Sequence, residues 1–185
     1  RGSFKPTGLT SGKQQQVISS DTLAPSVGGN SSNFAYSIWF YIDNWNDRFG
    51  ETKTLFSRGT ISQPCPSVEF DSIQNNLNVN VTCYGDSNNT KTKFTCGVEN
   101  IPIQRWVNLI VSVYGRSVDV YIDGKLIKTC SMNTVASPIS SNSTIFIGGS
   151  QKPDNNQVPG FSGFISSVVY SPDVFSPKEV WDIYS

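Results

Sequence analysis

Apolar and polar residues alternate along most of this chain in short runs, and polar turns separate the runs. Residues 77–81 and 93–98 alternate strictly, which predicts strands with one face toward solvent. Residues 34–42 are dense in aromatic and β-branched side chains, which predicts a strand buried on both faces. Further strands are predicted at 17–23, 54–57, 68–70, 106–114, 117–122, 126–130, 144–147 and 164–170.

Two turns indicate how neighbouring strands connect. Residues 71–76 are polar and separate two alternating runs, so they predict a hairpin in which Phe70 lies opposite Leu77 and Val68 opposite Val79. Asp123-Gly124 follows one apolar run and precedes another, which is typical of a type I′ hairpin turn with positive φ at both central residues.

A helix is predicted at the end of the chain. Ser176, Pro177 and Glu179 fit a capping box with proline at the first helical position. About a dozen short strands and one helix predict an all-β fold, a two-sheet antiparallel jelly-roll sandwich with one short C-terminal helix. Residues 17–185 are predicted to form a single domain, and the polar residues 1–16 an extended N-terminal arm that reaches a neighbouring subunit.

Composition supports the β fold and excludes several functions. The chain has 32 Val and Ile against nine Leu and Ala, and β-branched residues favour strands. Fourteen basic and 14 acidic side chains leave no net charge, which argues against nucleic-acid binding. With no His, a Ser-His-Asp triad or an imidazole metal site is excluded. No apolar run approaches the ~20 residues of a membrane span.

Cysteine and asparagine bear on the compartment. The four Cys lack Cys-x-x-Cys spacing, so they predict two disulfides and an oxidising compartment rather than a zinc site. N-glycosylation sequons occur at Asn30, Asn80, Asn88 and Asn142. Chance alone gives about 3.5 sequons in this composition, so they are compatible with a secreted glycoprotein without demonstrating one.

Three stretches together carry a family resemblance. They are residues 36–42 with 55–59, residues 100–106 with 118–126, and residues 160–165 with 179–184. They resemble the laminin-G-like jelly-roll branch of the concanavalin A-like lectin/glucanase superfamily, and within it most of all the surface proteins of large DNA viruses of algae and protists. The resemblance implies an extracellular, cell-surface or virion-surface location.

The resemblance also implies a disulfide pairing. In the family pattern, a Cys before Asn-Ile-Pro accompanies one after the Gly-Lys-Leu strand, which corresponds to Cys96–Cys130 here. Cys65–Cys83 is then the remaining pair, and the predicted hairpin places these residues nearly opposite if a one-residue bulge lies beside Pro64 or Pro66. The alternative is Cys83–Cys96 with Cys65–Cys130.

Glucanases of this superfamily use carboxylates spaced as Glu-x-Asp-x-(x)-Glu on one strand. The nearest match here begins at Glu69 and Asp71, but Gln74 stands where the second Glu would be. Gln cannot protonate a leaving group, and Asp71 belongs to the predicted turn. The sequence therefore predicts a non-catalytic protein.

Related domains bind glycans or proteins, some of them through calcium. Trp45, Phe49 and Tyr84 lie in or beside polar loops and are the candidates for stacking against sugar rings, whereas Trp39 and Trp106 lie in strands and are interpreted as core. Asp43, Asn46 and Asp47 are the candidate calcium ligands, and a solvated, turn-capping loop is the alternative.

The predicted function is a non-catalytic structural, assembly and interaction module of an extracellular or virion surface. Its partners would be protein neighbours in a surface assembly or copies of itself, and no cofactor is required. The alternative is a glycan-binding lectin domain assisted by calcium. Fold alone does not decide between the two.

Overall fold

A computed structural model describes residues 9–13, 15–18, 33–47, 49–59, 62–87, 90–137, 145–151 and 157–185. Within these ranges the chain consists almost wholly of strands, with one helix at its end. The strands are β1 Thr10–Ser11, β2 Gln16–Ile18, β3 Phe34–Asn44, β4 Lys53–Gly59, β5 Pro64–Phe70, β6 Leu77–Tyr84, β7 Lys91–Val98, β8 Trp106–Tyr114, β9 Ser117–Ile122, β10 Lys125–Ser131, β11 Ile145–Ile147, β12 Gly149–Gln151, β13 Gln157–Pro159 and β14 Ser162–Ser171; the helix is α1 Pro177–Tyr184.

Two six-stranded antiparallel sheets form a sandwich, as the alternating pattern predicts. The first sheet has the order β1-β14-β3-β8-β9-β10, and the second has the order β2-β11-β4-β5-β6-β7. A two-stranded ribbon, β12-β13, accompanies them. One continuous core lies between the sheets, and it is filled by alternate residues of the long strands, such as Ile38 and Phe40 of β3 and Val79 and Val81 of β6.

The predicted turns and hairpin register are confirmed. Phe70 pairs with Leu77 and Val68 with Val79, without a register shift along this hairpin. Asp123 has φ 51° and Gly124 has φ 78°, which is the pair of positive φ angles that a type I′ turn requires. Local turn chemistry and side-chain alternation therefore fix the register of both hairpins.

The C-terminal helix begins at the predicted capping box. The side chain of Ser176 accepts a hydrogen bond from the Glu179 N–H, and the Glu179 side chain accepts one from the Ser176 N–H. The helix lies on the outer face of the first sheet, where Tyr184 stacks on Trp39 with 5.9 Å between ring centroids. None of the described helices is long and apolar enough to cross a membrane.

Part of the segment predicted as an arm belongs to the sandwich instead. Thr10 pairs with Ile165 and Ser11 with Phe164, so β1 is an edge strand of the first sheet. Gln16 opens β2, which pairs with β11 at the edge of the second sheet. The reason is that both sheet edges offer unpaired backbone groups to which this polar segment bonds. Residues 19–23 of the predicted first strand lie outside the described residues.

One disulfide joins the two sheets. Cys96 and Cys130 are bonded, as the resemblance implied, and they connect β7 to β10. Each of these is the edge strand of its sheet. The bond therefore closes one side of the sandwich.

The expected Cys65–Cys83 disulfide is not formed, and both residues are buried free thiols. That pairing needed a bulge beside Pro64 or Pro66, and the paired residues of the β5–β6 hairpin end at Ser67 opposite Asn80, before Cys65 is reached. The Cys83 Sγ lies 3.3 Å from the Met132 Sδ. Burial, together with the neighbouring Cys83, raises the pKa of Cys65 to about 12, so this thiol stays protonated and unreactive.

Candidate functional site

The loop between β3 and β4, residues 45–52, carries two of the predicted stacking residues and two of the predicted calcium ligands. It is held from inside by Lys53, the first residue of β4. The Lys53 Nζ donates hydrogen bonds to the carbonyl oxygens of Trp45 and Asp47, both at 2.8 Å, and lies 5.0 Å from the centroid of the Trp45 ring. Burial lowers the pKa of Lys53, and the charges of Asp47 and Glu51 oppose that shift.

The calcium site predicted at Asp43, Asn46 and Asp47 does not fit the loop. Two carbonyl oxygens that a cation would need are already bonded to the Lys53 ammonium. The Asp47 carboxylate faces Lys13 at 3.6 Å, and Asp43 is exposed. Among the described residues, no three Asp, Glu or Cys side chains gather as a metal site. A divalent ion would have to displace an internal positive charge.

Trp45 closes the end of the sandwich instead of offering a surface for sugars. Its ring packs edge-on against Phe70 with 5.9 Å between centroids, and its Nε1 donates to the Ile73 carbonyl oxygen at 3.2 Å. With Lys53 over the ring, little of Trp45 remains for stacking. Burial of a large aromatic against the core outweighs its exposure in a polar loop.

Phe49 and Tyr84 are exposed, but the fold does not bring them together. Phe49 lies in the loop whose Gly50 donates to the Ser72 carbonyl oxygen, at the end of the sandwich where β6 begins. Tyr84 is the last residue of β6, at the other end. Seven residue steps along a strand separate these ends by roughly 23 Å.

The near-match to the glucanase pattern lies at the end of β5 and in the turn after it. Asp71 lies after β5 and accepts hydrogen bonds from the N–H groups of Gln74 and Ile73, which lower the pKa of its carboxyl. The Gln74 side chain accepts a hydrogen bond from Asn76. Glu69 accepts a hydrogen bond from the Asn80 amide. Each group of the predicted near-match thus has a local structural partner.

Asn80 is wrong as a glycosylation candidate. Its side chain is 3 % exposed on β6 and donates to Ser67 and Glu69 while accepting from Thr95. A glycan attached to Nδ2 would replace a hydrogen that this atom donates, and the buried side chain leaves no room for a sugar. Asn30, Asn88 and Asn142 lie outside the described residues.

Three aromatic side chains, two exposed and one partly buried, form a row on the outer face of the first sheet. Phe164 of β14 pairs with Tyr41 of β3, and Tyr41 pairs with Trp106 of β8. The Tyr41 ring lies 5.8 Å from the Trp106 ring and 6.3 Å from the Phe164 ring, centroid to centroid. Phe164 and Trp106 are each 38 % exposed. We call these three residues the aromatic row.

Alternation explains why the aromatic row faces outward. Phe40 and Val107, the chain neighbours of Tyr41 and Trp106, point into the core, so Tyr41 and Trp106 point away from it. Ile165, the chain neighbour of Phe164, also points into the core, so Phe164 points away from it. The row is therefore a direct consequence of the register that buries the core.

An ion pair lies on one side of the aromatic row, and the C-terminal helix lies on the other. The Arg105 Nη1 forms an ion pair with Asp123 at 2.7 Å and donates to the Trp106 carbonyl oxygen at 3.2 Å. On the other side, Trp39 lies two residues from Tyr41 on the same face, under Tyr184 of the helix. An aromatic platform with a polar edge can bind ligands that have both apolar faces and hydroxyl groups.

The sequence interpretation missed the aromatic row. It interpreted Trp106 as core, whereas this side chain is more than a third exposed. Residues 34–42 are apolar on both faces, so periodicity does not distinguish a solvent-facing aromatic from a buried one. The row becomes visible only when β3 is paired with β8, which sets Tyr41 beside Trp106.

Comparison with known proteins agrees with this architecture. A family model of the concanavalin A-like lectin/glucanases superfamily (Laminin_G_3) matches residues 11–181. No curated protein sequence matches the chain.

Solved structures share the fold at low identity. The receptor binding domain of botulinum neurotoxin D superposes with a TM-score of 0.63 at 13% identity, over 98% of this chain and 42% of that one. A botulinum neurotoxin type C structure gives 0.57 at 16% identity, over 86% and 36%. The heptameric SAP-like pentraxin of Limulus polyphemus gives 0.57 at 16% identity, over 95% and 84%. The chain thus spans less than half the length of the toxin chains and most of the pentraxin.

Proposed function

Because the chain belongs to the concanavalin A-like lectin/glucanase superfamily, we propose that it is a non-catalytic glycan-binding domain of an extracellular, cell or virion surface. The exposed aromatic row is the observation that carries this proposal. Isolated exposed aromatics are common, but three in register on adjacent strands make a continuous platform.

The chemistry of the row suits a saccharide. The rings offer apolar surface to the C–H faces of a sugar, while the Tyr41 hydroxyl and the Arg105–Asp123 ion pair offer hydrogen bonds to its hydroxyl groups. Since Asp123 neutralises Arg105, the polar edge carries no net charge. Neutral saccharides therefore suit this site better than acidic ones.

Two structural neighbours support a recognition role. Cell entry of botulinum neurotoxin type C depends upon interaction with two ganglioside molecules. The type DC binding domain is also known in complex with rat synaptotagmin II, which is a protein partner. These toxins thus interact with gangliosides and with a protein, and the aromatic row favours a glycan as the ligand of this chain.

Two observations support the absence of catalysis and the external location. In the near-match to the glucanase pattern, Asp71 accepts hydrogen bonds within its turn and Gln74 stands where a second Glu would be. The Cys96–Cys130 disulfide fits an oxidising compartment.

A glycan array probed with the full chain and with Trp106→Ala tests the proposal. Loss of the Trp106 ring should weaken binding about 10- to 100-fold, since burial of such a side chain contributes roughly 1.5–3 kcal/mol. Tyr114→Ala is the matched control, because Tyr114 is exposed at the opposite end of the same strand. No binding on the array, or equal binding by both variants, would refute the proposal.

Assembly is the second candidate function, and one observation favours it. Leu126 and Ile127 are both exposed on β10, the edge strand of the first sheet. Adjacent apolar residues on an edge strand offer a surface for another chain. A sizing experiment across concentrations distinguishes the two functions: self-association that Leu126→Lys abolishes, together with silence on the array, would favour assembly.

A further inference from the structure

We infer that the Lys53 ammonium serves the β3–β4 loop as a built-in cation, so that this domain needs no calcium to order the loop or to bind its ligand. The statement about ligand binding rests on the proposed function. The statement about the loop stands on its own geometry.

The Lys53 side chain is directed into the molecule. Lys53 pairs with Phe70, whose side chain belongs to the core, and it is 2 % exposed. A charged group at this depth is stable only when its donors are satisfied. The Lys53 Nζ has three N–H groups, and it faces the carbonyl oxygens of Trp45 and Asp47 and the face of the Trp45 indole.

Convergence of loop carbonyls on one positive centre is also how a protein loop holds a calcium ion. Calcium takes 6–8 oxygen ligands at ~2.3–2.6 Å. Here the two carbonyl oxygens are 2.8 Å from the Lys53 Nζ, which is the distance of a hydrogen bond to an ammonium. The centre of the loop is therefore filled by a charge that belongs to the chain and that would repel a divalent ion.

The acidic groups of the loop do not compensate for that repulsion. Asp47 faces Lys13 on one side, while its backbone carbonyl binds Lys53. Asp43 and Glu51 are exposed to solvent. Among the described residues no three carboxylates gather as a metal site, so the loop lacks the negative charge that would favour calcium over the ammonium.

Through Trp45, Lys53 orders more than its own loop. The Trp45 Nε1 bonds to the Ile73 carbonyl oxygen, and the Gly50 N–H bonds to the Ser72 carbonyl oxygen at 2.8 Å. These two bonds join the β3–β4 loop to the β5–β6 turn. The Gly50 amide thus reports whether the loop is in place.

The test measures thermal unfolding and Gly50 amide hydrogen exchange of the full chain, in 2 mM calcium chloride and in EDTA. The unmodified chain should unfold at the same temperature in both, within about 1 °C. A calcium site filled at a hundred times its dissociation constant would raise the unfolding temperature by roughly 5–10 °C. A shift of that size would overturn the inference.

Lys53→Met keeps the apolar stem and removes the ammonium, so it should lower the unfolding temperature by about 5 °C or more and speed Gly50 exchange at least tenfold. Lys93→Met is the matched control at an exposed position of β7 and should change neither. Unchanged Gly50 exchange in Lys53→Met would contradict the inference.

Should Lys53→Met not fold, Lys53→Gln carries the same test. Its neutral amide still donates to a carbonyl but has no charge, so Gly50 exchange should be faster than in the unmodified chain, and an unchanged rate would contradict the inference. Neither stability measurement involves a glycan, so a silent glycan array would reject the proposed function and leave this inference standing. Loss of glycan binding in EDTA would reject the statement that ligand binding needs no calcium, and it would leave the statement about the loop unaffected.

Discussion

Gly124 has two structural roles, one in the β9–β10 turn and one in the contact with the C-terminal helix. It occupies the second central position of the β9–β10 turn with φ 78°. A Cβ atom added there would lie 2.8 Å from Cε3 of Trp181 and 3.1 Å from Cδ1 of Tyr184, both on the C-terminal helix. Gly124→Ala therefore perturbs the turn conformation and the docking of the helix together.

The two costs are of similar size. A non-glycine residue in the left-handed region costs ~1–2 kcal/mol, and an extra methyl in a packed contact costs ~1–3 kcal/mol. Gly124→Ala should thus reduce the free energy of unfolding by about 2–5 kcal/mol. Gly115→Ala is the matched control, since Gly115 has φ 57° with nothing near its added Cβ, and it should lose only ~1–2 kcal/mol.

Urea denaturation of both variants measures the difference. Adding Trp181→Ala to Gly124→Ala removes the closest contacts of the methyl and leaves the 3.1 Å contact with Tyr184. Relative to Trp181→Ala alone, the double variant should therefore lose less than Gly124→Ala loses, and at least the ~1–2 kcal/mol of backbone strain. Equal losses in Gly124→Ala and Gly115→Ala would refute the steric contribution of the helix. The steric contribution would also be refuted if Gly124→Ala cost as much stability in the Trp181→Ala background as it does in the unmodified chain.

Two further predictions concern the disulfide and acid stability. Replacing both Cys96 and Cys130 by Ser should lower the free energy of unfolding by about 4 kcal/mol, because the disulfide closes a loop of 34 residues. Urea denaturation without reductant measures this loss, and a loss under ~1 kcal/mol would contradict the prediction. Hydrogen bonds from the Gln74 and Ile73 N–H groups hold the pKa of the Asp71 carboxyl below its usual 3.8. As the pH falls, Asp71 is therefore protonated in the unfolded chain before it is protonated in the folded one. The stability that these hydrogen bonds give is complete above pH ~5 and is lost as the pH falls through the folded-state pKa. Asp71→Asn should therefore flatten the acid limb of unfolding temperature against pH, measured between about pH 2 and pH 7, and superimposable limbs would contradict the assignment.

Local rules predicted the features whose causes are local. Alternation around Val79 placed the β5–β6 register correctly, the Asp123-Gly124 pair set the turn, and the Ser176 capping box set the start of the helix. Each depends on residues close in the chain. The same alternation gave the two-sheet architecture.

The aromatic row could not be predicted in this way. Tyr41, Trp106 and Phe164 come from three distant parts of the sequence and meet only through the register of β14, β3 and β8. A slip of one residue in either pairing would separate them or turn one to the opposite face.

The β3–β4 loop shows the same limit. The sequence shows acidic and amide side chains that resemble calcium ligands, but the group that occupies the loop is Lys53, which lies at the start of the next strand. Composition cannot reveal which charge a fold directs inward. The second disulfide was wrong as well: it depended on a bulge beside Pro64 or Pro66 that would bring Cys65 opposite Cys83, and both residues are free thiols.

The Cys96–Cys130 bond also determines how the domain would respond to a mechanical pull. Tension applied between the ends of the chain passes directly across the bond, so the residues between the two cysteines carry none of it. That shielded stretch contains β8 and β9 and would add roughly 115 Å to the stretched chain if the bond were absent. A domain pulled through its two chain ends would therefore keep Trp106, one of the three residues of the aromatic row, inside a segment that this tension cannot extend.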